Sequence, residues 1–177
     1  MQVAVEFRTY GPFKLDPLKK GETTWPKWWK SEVDGKLAGL SGAVGCYVFS
    51  IRAGKGEKPW YVGETEKNSF KAEATAGQKI AKYLTPFMLQ DKGTPLIYLL
   101  AKLTPTGKFA KRTKNEHADV DFLEKFLIGL ALKRNKYLLN KQKTKHLRTL
   151  KAAGFINDSK GQPSIETKAI KKVFFKK

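Results

Sequence analysis

The apolar and polar positions of the chain form short blocks that predict strands. Near the amino end, Val3, Val5 and Phe7 alternate with polar residues, which predicts an edge strand. Residues 42–51 form a β-branched and aromatic run, and the glycine-containing residues 53–57 predict a turn directly after it. The run at 42–51 is therefore the first predicted strand of the core.

Two further apolar blocks predict the partners of that strand. Residues 60–62 follow the turn, so they predict an antiparallel hairpin with a basic loop. Residues 95–103 have the length and apolarity of a buried central strand and are bounded by prolines. The sequence thus predicts the α+β class, with a small antiparallel three-stranded sheet flanked by helices and an amino-terminal strand added to it.

Helices are predicted between and after these strands. Turn and cap chemistry at residues 63–69 predicts a helix over 70–83, which Gly77 kinks or splits because glycine costs about 1 kcal/mol inside a helix. A longer helix is predicted further on, because apolar residues recur there at spacings of three and four. Its predicted stripe against the sheet consists of Val120, Leu123, Phe126, Leu127 and Leu130. Pro163 and Ser164 predict the start of a final helix.

The length of the chain sets its domain organisation. With 177 residues, 41% of them hydrophobic, the chain has enough apolar material for one buried core. We expect a basic and aromatic amino-terminal segment packed on the core at residues 1–40, a core domain at 41–145, and a basic helical extension at 146–177. The tryptophan-rich stretch at residues 24–30 is predicted to be irregular.

The chain carries a large excess of positive charge. It has 35 lysines and arginines against 16 acidic residues, which gives a formal net charge of +19. A compact protein with this excess repels itself, so the charge predicts a polyanionic partner. Nucleic acid is the leading candidate, because neutralising phosphates releases condensed counterions. An acidic membrane surface is the second candidate partner. The alternative without a partner is that the charge only keeps the protein in solution.

The sequence predicts neither membrane insertion nor export. The longest apolar stretch, residues 126–132, is far shorter than the roughly 20 residues that span a bilayer. The amino terminus lacks the pattern of a signal peptide. A single cysteine, Cys46, allows no internal disulfide and suits a reducing compartment. We therefore expect a soluble protein of the cytoplasm, or of the nucleus in a eukaryote.

Three features of the core domain follow one another in an informative order. They are Gly45-Cys46-Tyr47 on the first predicted strand, Tyr61-Val62-Gly63 on the second, and Glu124 on the long helix, followed by Asn140. In this order they resemble the GIY-YIG nuclease superfamily, over roughly residues 42–141. The resemblance implies that the two tripeptides lie side by side on antiparallel strands, opposite a helical glutamate that holds one divalent metal ion.

The resemblance also implies a function, that of a metal-dependent endonuclease that hydrolyses phosphodiester bonds of DNA, with RNA also open. Tyr47 would position or deprotonate the attacking water, and Tyr61 would assist it or hold the phosphate. Glu124 would bind Mg²⁺ or Mn²⁺, since hard cations prefer oxygen ligands. Supporting positions would be Gly45, Gly63 and Asn140. No small-molecule cofactor and no membrane partner is implied, and the oligomeric state stays open.

One position departs from the family pattern. The family places an arginine eight residues after the glycine of the second tripeptide, where this chain has Lys71. A lysine offers a point charge, whereas the arginine fork clamps two phosphate oxygens. Losing such a donor costs on the order of a hundredfold to a thousandfold in rate. Glu73, nearby on the same predicted helix, would repel the phosphate or add a metal ligand. The alternative function is therefore a weakened or inactive nucleic-acid-binding protein that keeps the fold.

Other residues have both a nucleic-acid interpretation and a structural one. Lys79 and Lys82 could share a polar helix face, where they would contact phosphates or form a solvated surface. Trp28 and Trp29, with Trp25 and nearby lysines, would stack on bases as in single-strand binders, or pack an arm onto the core. A basic RNA-associated structural protein is a third class of function, which explains the charge but leaves the tripeptides unexplained.

Overall fold

The computed structural model describes residues 5–15, 25–89, 93–113, 117–149 and 164–174. The chain divides into two compact units, Met1–Asn140 and Lys141–Lys177. All of the site residues predicted from the sequence belong to the first unit.

The first unit is built on one antiparallel sheet. Its strands are β1 (Phe7–Lys14), β2 (Gly45–Ala53), β3 (Gly56–Thr65) and β4 (Thr94–Lys102). Within the described residues these four strands lie in the order β1-β4-β2-β3. The prediction of three core strands is therefore corrected to four, because β1 pairs along its length with β4 and belongs to the same sheet.

The first strand differs most from its prediction. It begins at Phe7, whereas the pattern placed it at Val3, Val5 and Phe7, and residues 1–4 lie outside the described part. Of its residues, Phe13 alone is buried. An edge strand with most of its side chains in solvent has little apolar alternation by which it can be recognised.

Helices lie between and after the strands. In chain order they are α1 (Trp25–Trp28), α2 (Phe70–Glu73), α3 (Gly77–Leu89), α4 (Ala118–Arg134), α5 (Lys145–Thr149) and α6 (Ile165–Phe174). The helix predicted over 70–83 is split, since α2 ends at Glu73 and α3 begins at Gly77. The break at the glycine confirms that part of the prediction, and the combination of sheet and helices confirms the α+β class.

The tryptophan-rich stretch is helical instead of irregular. After α1 the chain continues directly into a π-helix, Trp29–Asp34. Trp28, Trp29 and Val33 are buried in the main core, and Trp28 Nε1 donates a hydrogen bond to the carbonyl of Lys14 at 2.8 Å. Tertiary packing of the indoles therefore orders this segment, as is general for helices too short to be stable alone.

The β2–β3 hairpin defines the two faces of the sheet. Tyr47 pairs with Gly63 and Phe49 pairs with Tyr61. Because side chains alternate along a strand, these four positions share one face, which we call the tyrosine face. Helix α3 packs against it through Tyr83, whose ring stacks on Phe49 with the centroids 4.3 Å apart.

The opposite face of the sheet carries the intervening residues and is covered by α4, so we call it the α4 face. Val48 and Val62 pack there with Ile128 of α4 in a second, smaller buried cluster. Cys46 lies on the same face, and its Sγ donates a hydrogen bond to the carbonyl of Val120 at 3.4 Å. The thiol is buried in this environment.

The buried stripe of α4 is not the predicted one. The buried residues of the helix are Val120, Glu124, Ile128 and Ala131. Phe126 and Leu130, which the spacing placed against the sheet, are 57% and 45% exposed. Apolar residues occur on every side of α4, so periodicity alone could not identify the packed side, and that side contains a glutamate.

The second unit contains α5 and α6 in its described part. Helix α6 begins at Ile165, where a start was predicted at Pro163 and Ser164, although Pro163 lies outside the described residues. The backbone N–H of Thr167 donates a hydrogen bond to Ser164 Oγ at 3.2 Å, as in a helix cap. Among the helices of the described residues, none combines the length and the apolarity needed to pass through a bilayer.

Candidate functional site

The hairpin brings the two tripeptide tyrosines together on the tyrosine face. The ring centroids of Tyr47 and Tyr61 lie 6.2 Å apart, and those of Tyr61 and Tyr83 lie 6.0 Å apart. Tyr47 is fully buried and Tyr61 is 6% exposed. Both rings therefore belong to the main hydrophobic core.

The Tyr47 phenol is unsuited to deprotonating a water. Among the described residues its Oη makes no hydrogen bond of normal geometry, although the Tyr83 hydroxyl is close enough to influence it. Burial, and then the neighbouring phenols of Tyr83 and Tyr61, raises the pKa of Tyr47 far above the ordinary 10.0. Burial likewise raises the pKa of Tyr83. Since a general base works best with a pKa near the operating pH, Tyr47 remains a neutral packing residue here.

The tripeptide glycines are required by packing. A Cβ at Gly63 would overlap the ring and hydroxyl of Tyr47 on the neighbouring strand, so glycine leaves the space that the phenol fills. Gly45 has a φ of +152°, and a Cβ there would collide with the carbonyl oxygen of Leu100 on β4. Both glycines therefore have an explanation that involves no ligand.

A lysine and a glutamate lie beside Tyr61. Lys79 Nζ donates a hydrogen bond to Tyr61 Oη at 3.1 Å and forms an ion pair with Glu73 at 3.3 Å. Burial by itself lowers the pKa of Lys79, but Tyr61 and Glu73 outweigh it, so the pKa is raised and the ammonium stays charged. Lys82 Nζ lies 5.2 Å from the centroid of the same ring. Asn68 Nδ2 also donates to Glu73 at 3.2 Å, so Glu73 serves as a partner of Lys79 and Asn68.

Glu124 lies in a cluster of three carboxylates. Oxygens of Glu64, Asp121 and Glu124 all lie within 4.8 Å of one another. Asp121 and Glu124 are three residues apart on α4 and share its side. Glu64 follows Gly63 on β3 and therefore points to the α4 face. Glu124 is 6% exposed, and the other two carboxylates are half-buried.

The sheet separates this cluster from the tyrosines. On α4, Glu124 lies one turn from Val120 and one turn from Ile128, both of which contact the α4 face. Tyr47 and Tyr61 belong to the core on the tyrosine face. The two phenols therefore face away from Glu124, with the backbone of the sheet between them. The structure does not bring together the phenols and the carboxylate that the family resemblance placed in one cleft.

The carboxylate cluster could hold a metal ion. Carboxylate oxygens are the ligands that hard divalent cations prefer, and three of them leave coordination positions for water. The cluster adds Glu64 and Asp121 to the single ligand that was expected, Glu124. Lys125 forms an ion pair with Asp121, so a bound cation would compete with this ammonium group.

The surroundings of the cluster favour cations over phosphate. A depression of about 300 Å³ shares Glu64 with the cluster. Its other lining residues are Thr65, Glu66, Lys67, Asn68 and Glu73. The three carboxylates outnumber Lys67 of the lining and Lys79, which pairs with Glu73, so the excess of carboxylates favours metal ions over a bare phosphate.

Lys71, the position where the family has arginine, lies elsewhere. Among the described residues no hydrogen bond or ion pair joins Lys71 to Tyr47 or Tyr61. It is exposed on α2 and lines a separate pocket together with Trp25 and Trp29. The four predicted catalytic residues therefore fall into three places: the tyrosine pair in the core, Lys71 at this pocket, and Glu124 behind the sheet.

The predicted base-stacking role is not open to the two buried indoles. Trp28 and Trp29 are 5% and 2% exposed. Trp28 Nε1 is bonded to the Lys14 carbonyl, and Trp29 Nε1 donates to Thr75 Oγ1 at 2.8 Å. The structural interpretation, in which these side chains pack the segment onto the core, therefore applies to both.

Asn140 completes the edge of β3. Its Oδ1 accepts a hydrogen bond from the backbone N–H of Val62 at 3.0 Å, and its Nδ2 donates to the Val62 carbonyl at 2.7 Å. The side chain therefore replaces a strand partner for the middle residue of the second tripeptide. This role accounts for a buried asparagine at this position without any contact to substrate.

Sequence analysis missed two members of the carboxylate cluster. Asp121 could have been found from its spacing of three residues to Glu124 on a helix. Glu64 has no such local signal, because its place near α4 depends on the register that pairs it with Cys46.

Comparison with known proteins assigns no family: no family model matches the chain, and no curated protein and no solved structure matches it. The likeness to the GIY-YIG superfamily therefore rests on the two tripeptides and on the order of the elements that follow them.

Proposed function

We propose that the protein binds nucleic acid through lysines of α2 and α3, on the tyrosine side of the sheet, and does not cut it with its tyrosine pair. One observation carries the proposal: the ammonium groups of Lys79 and Lys82 lie beside the ring of Tyr61, on the opposite side of the sheet from Glu124. Lys82 is exposed beside Tyr61, where Lys79 stays charged, and Lys71 is exposed on α2 at a separate pocket. The net charge of +19 supports a polyanionic partner.

The same arrangement argues against cleavage at the tyrosine pair. In-line phosphodiester hydrolysis needs an activated water, a cation on the phosphate and a metal ion within one cleft. In this chain Tyr47 is buried and neutral, and Glu124 faces the other side of the sheet. The fold can therefore retain both tripeptides for packing while the surface beside them binds phosphates.

The binding proposal is tested with duplex DNA. We expect the logarithm of the affinity to fall with the logarithm of salt concentration by about 0.9 for each phosphate neutralised. Lys82→Gln should make this slope shallower by about one phosphate. Lys55→Gln is the matched control, because this exposed lysine in the β2–β3 turn carries the same charge. Fluorescence anisotropy of a labelled duplex measures both.

Two results would contradict the proposal. A nearly flat salt dependence of the wild type would mean that phosphate neutralisation does not drive binding. Equal slopes for Lys82→Gln and Lys55→Gln would mean that the surface beside Tyr61 does not contact the backbone of the nucleic acid.

A second candidate function is metal-dependent phosphodiester hydrolysis at the carboxylate cluster, with Mg²⁺ or Mn²⁺. The observation that favours it is the approach of three carboxylates within 4.8 Å. In that case Glu64, Asp121 and Glu124 would hold the cation, which would stabilise developing charge on the phosphate. Tyr47 and Lys71 would take no part in the reaction.

Plasmid nicking separates the two candidates. If the carboxylate cluster hydrolyses phosphodiesters, wild-type protein with Mn²⁺ should nick supercoiled plasmid, and Glu124→Gln should abolish nicking. Glu32→Gln is a surface control with the same change of charge, and this variant should nick plasmid as the wild type does. Titration of Mn²⁺ by electron paramagnetic resonance reports metal binding independently of activity. Nicking that survives Glu124→Gln, or an unchanged Mn²⁺ affinity in that variant, would rule out the cluster as the metal site.

A further inference from the structure

A pocket lies between the tryptophan segment and α2, away from the tyrosine pair. Its volume is about 490 Å³, within the range of roughly 300–1,000 Å³ that is usual for small-ligand sites. Trp25, Pro26 and Trp29 form its apolar side, and Ala72 and Thr75 lie on the side of α2. Of its lining residues, the proposed function uses only Lys71.

The apolar wall is held in place by hydrogen bonds and ring contacts. Trp29 Nε1 donates to Thr75 Oγ1 at 2.8 Å, which ties the π-helix to the segment after α2. Trp28 packs edge to face on Trp29 and on Trp25, with centroid distances of 4.9 and 5.7 Å. Trp25 itself is half-buried, so part of its indole remains open to a ligand. A preformed aromatic wall of this kind lowers the ordering cost of binding.

The charges at this pocket favour an anionic ligand. Lys30 and Lys71 are exposed lining residues, and neither has an ion pair within the part of the chain that the structure describes. The single carboxylate of the lining belongs to Asp34. Its two oxygens accept hydrogen bonds from Ser41, at 2.9 Å from the backbone N–H and 2.6 Å from Oγ. The Asp34 carboxylate is therefore hydrogen-bonded to Ser41, and Lys30 and Lys71 are the charged residues that can contact a ligand.

We propose that this pocket binds one unpaired nucleobase of a single-stranded nucleic acid, flat against the indole of Trp25, with the flanking phosphates at Lys30 and Lys71. Aromatic walls bind bases of any sequence because every base has a π face, and lysines beside the wall follow the phosphates. The assignment rests on the proposed nucleic-acid binding and makes it specific, since a base within a duplex cannot enter the pocket.

The test compares a labelled oligothymidylate with a duplex of the same length. Trp25→Ala should weaken single-strand binding by about 5-fold to 150-fold, the range measured for losing one stacked base, and leave duplex binding unchanged. Lys71→Gln should reduce the salt slope on the single strand by about 0.7, whereas Lys55→Gln should not. Trp25→Phe keeps an aromatic face, so it should retain most of the affinity.

Trp25→Phe is also the control for the case in which Trp25→Ala loses affinity only because it does not fold. It removes one indole from the fluorescence signal, so the quenching that oligothymidylate produces in the wild type should shrink while binding persists. Quenching that is unchanged in Trp25→Phe, or an equal loss of single-strand and duplex affinity in Trp25→Ala, would overturn the pocket assignment alone. A wild type that binds neither ligand would overturn the proposed function and the pocket together.

Discussion

Replacing Tyr47 with phenylalanine distinguishes a packing role from a catalytic one. The change removes only the hydroxyl oxygen, which is buried and has no hydrogen-bond partner among the described residues. If Tyr47 acted on a water, Tyr47→Phe would abolish activity and have little effect on stability. If it is a core residue, the variant should keep its nucleic-acid affinity and become more stable.

The size of the gain follows from the environment of the hydroxyl. Burying such a group without a hydrogen bond costs about 1–3 kcal/mol. Removing it recovers that cost, less the dispersion contacts of one oxygen atom in a close-packed core. We therefore expect the free energy of unfolding to rise by about 1 kcal/mol, which corresponds to about 2–4 °C in Tm for a chain of this size.

Tyr61→Phe is the matched control. It makes the same chemical change on the neighbouring strand, but there the hydroxyl accepts a hydrogen bond from Lys79 at 3.1 Å. Losing that bond should destabilise the fold by about 1 kcal/mol. Urea unfolding followed by circular dichroism measures both variants, and the two changes should have opposite signs.

The reasoning is refuted if Tyr47→Phe lowers stability as much as Tyr61→Phe does. That result would mean that the Tyr47 hydroxyl is hydrogen-bonded in the folded protein. A Tyr47→Phe variant of normal stability that loses metal-dependent cleavage would restore the catalytic hypothesis for this residue.

Three further predictions concern the same hairpin. Asn140→Ala leaves the buried N–H and carbonyl of Val62 without their partner and should cost about 2–4 kcal/mol in urea unfolding; a loss below 1 kcal/mol would show that Asn140 is dispensable for the edge of β3. Gly63→Ala pushes a methyl group into the Tyr47 ring and should cost about 1–3 kcal/mol or prevent folding; an unchanged Tm would mean that the Tyr47 ring moves aside without cost. Burial raises the pKa of Tyr47 and Tyr83, so in the folded state they stay protonated above pH 10.0, where the unfolded phenols ionise. Each of these two phenols should therefore lower the free energy of unfolding by about 1.4 kcal/mol per pH unit above about pH 10, where the raised pKa values of Tyr98 and Lys79 add to the decline. In urea unfolding above about pH 10, Tyr47→Phe should make the decline shallower by about 1.4 kcal/mol per pH unit, and an unchanged slope would mean that the Tyr47 phenol ionises in the folded state.

Local patterns predicted the elements of the fold well where one physical cause dominates. The continuous apolar run near residue 95 became β4, which lies between two other strands and is buried on the tyrosine face and mostly half-buried on the other. Gly77 split a helix because glycine destabilises helix interiors. The prediction of an irregular tryptophan stretch was wrong, because the helical state of this stretch depends on partners such as Lys14 and Thr75, which are distant in sequence.

The candidate site was predicted less well, because its residues come from three parts of the chain. The sequence identified Tyr47, Tyr61 and Glu124 as candidates but held no information on which face of the sheet each would meet. Alternation along a strand fixes the side of a residue relative to its neighbours, but not the side that a later helix covers. In α4, apolar residues occur on every side of the helix, so their spacing did not reveal which of them pack against the sheet.

The sequence by itself determined the charge of the protein, the order of β2, β3, α3, β4 and α4 along the chain, and the presence of two tripeptides on one hairpin. Those properties depend on residue composition and on interactions between near neighbours. Only the tertiary structure decided that α4 lies across the sheet from the tyrosines, that Glu64 and Asp121 join Glu124, and that Lys71 lines a pocket with Trp25. These placements follow from the path of the connections and from which side chains fill the core, which are properties of the whole folded chain.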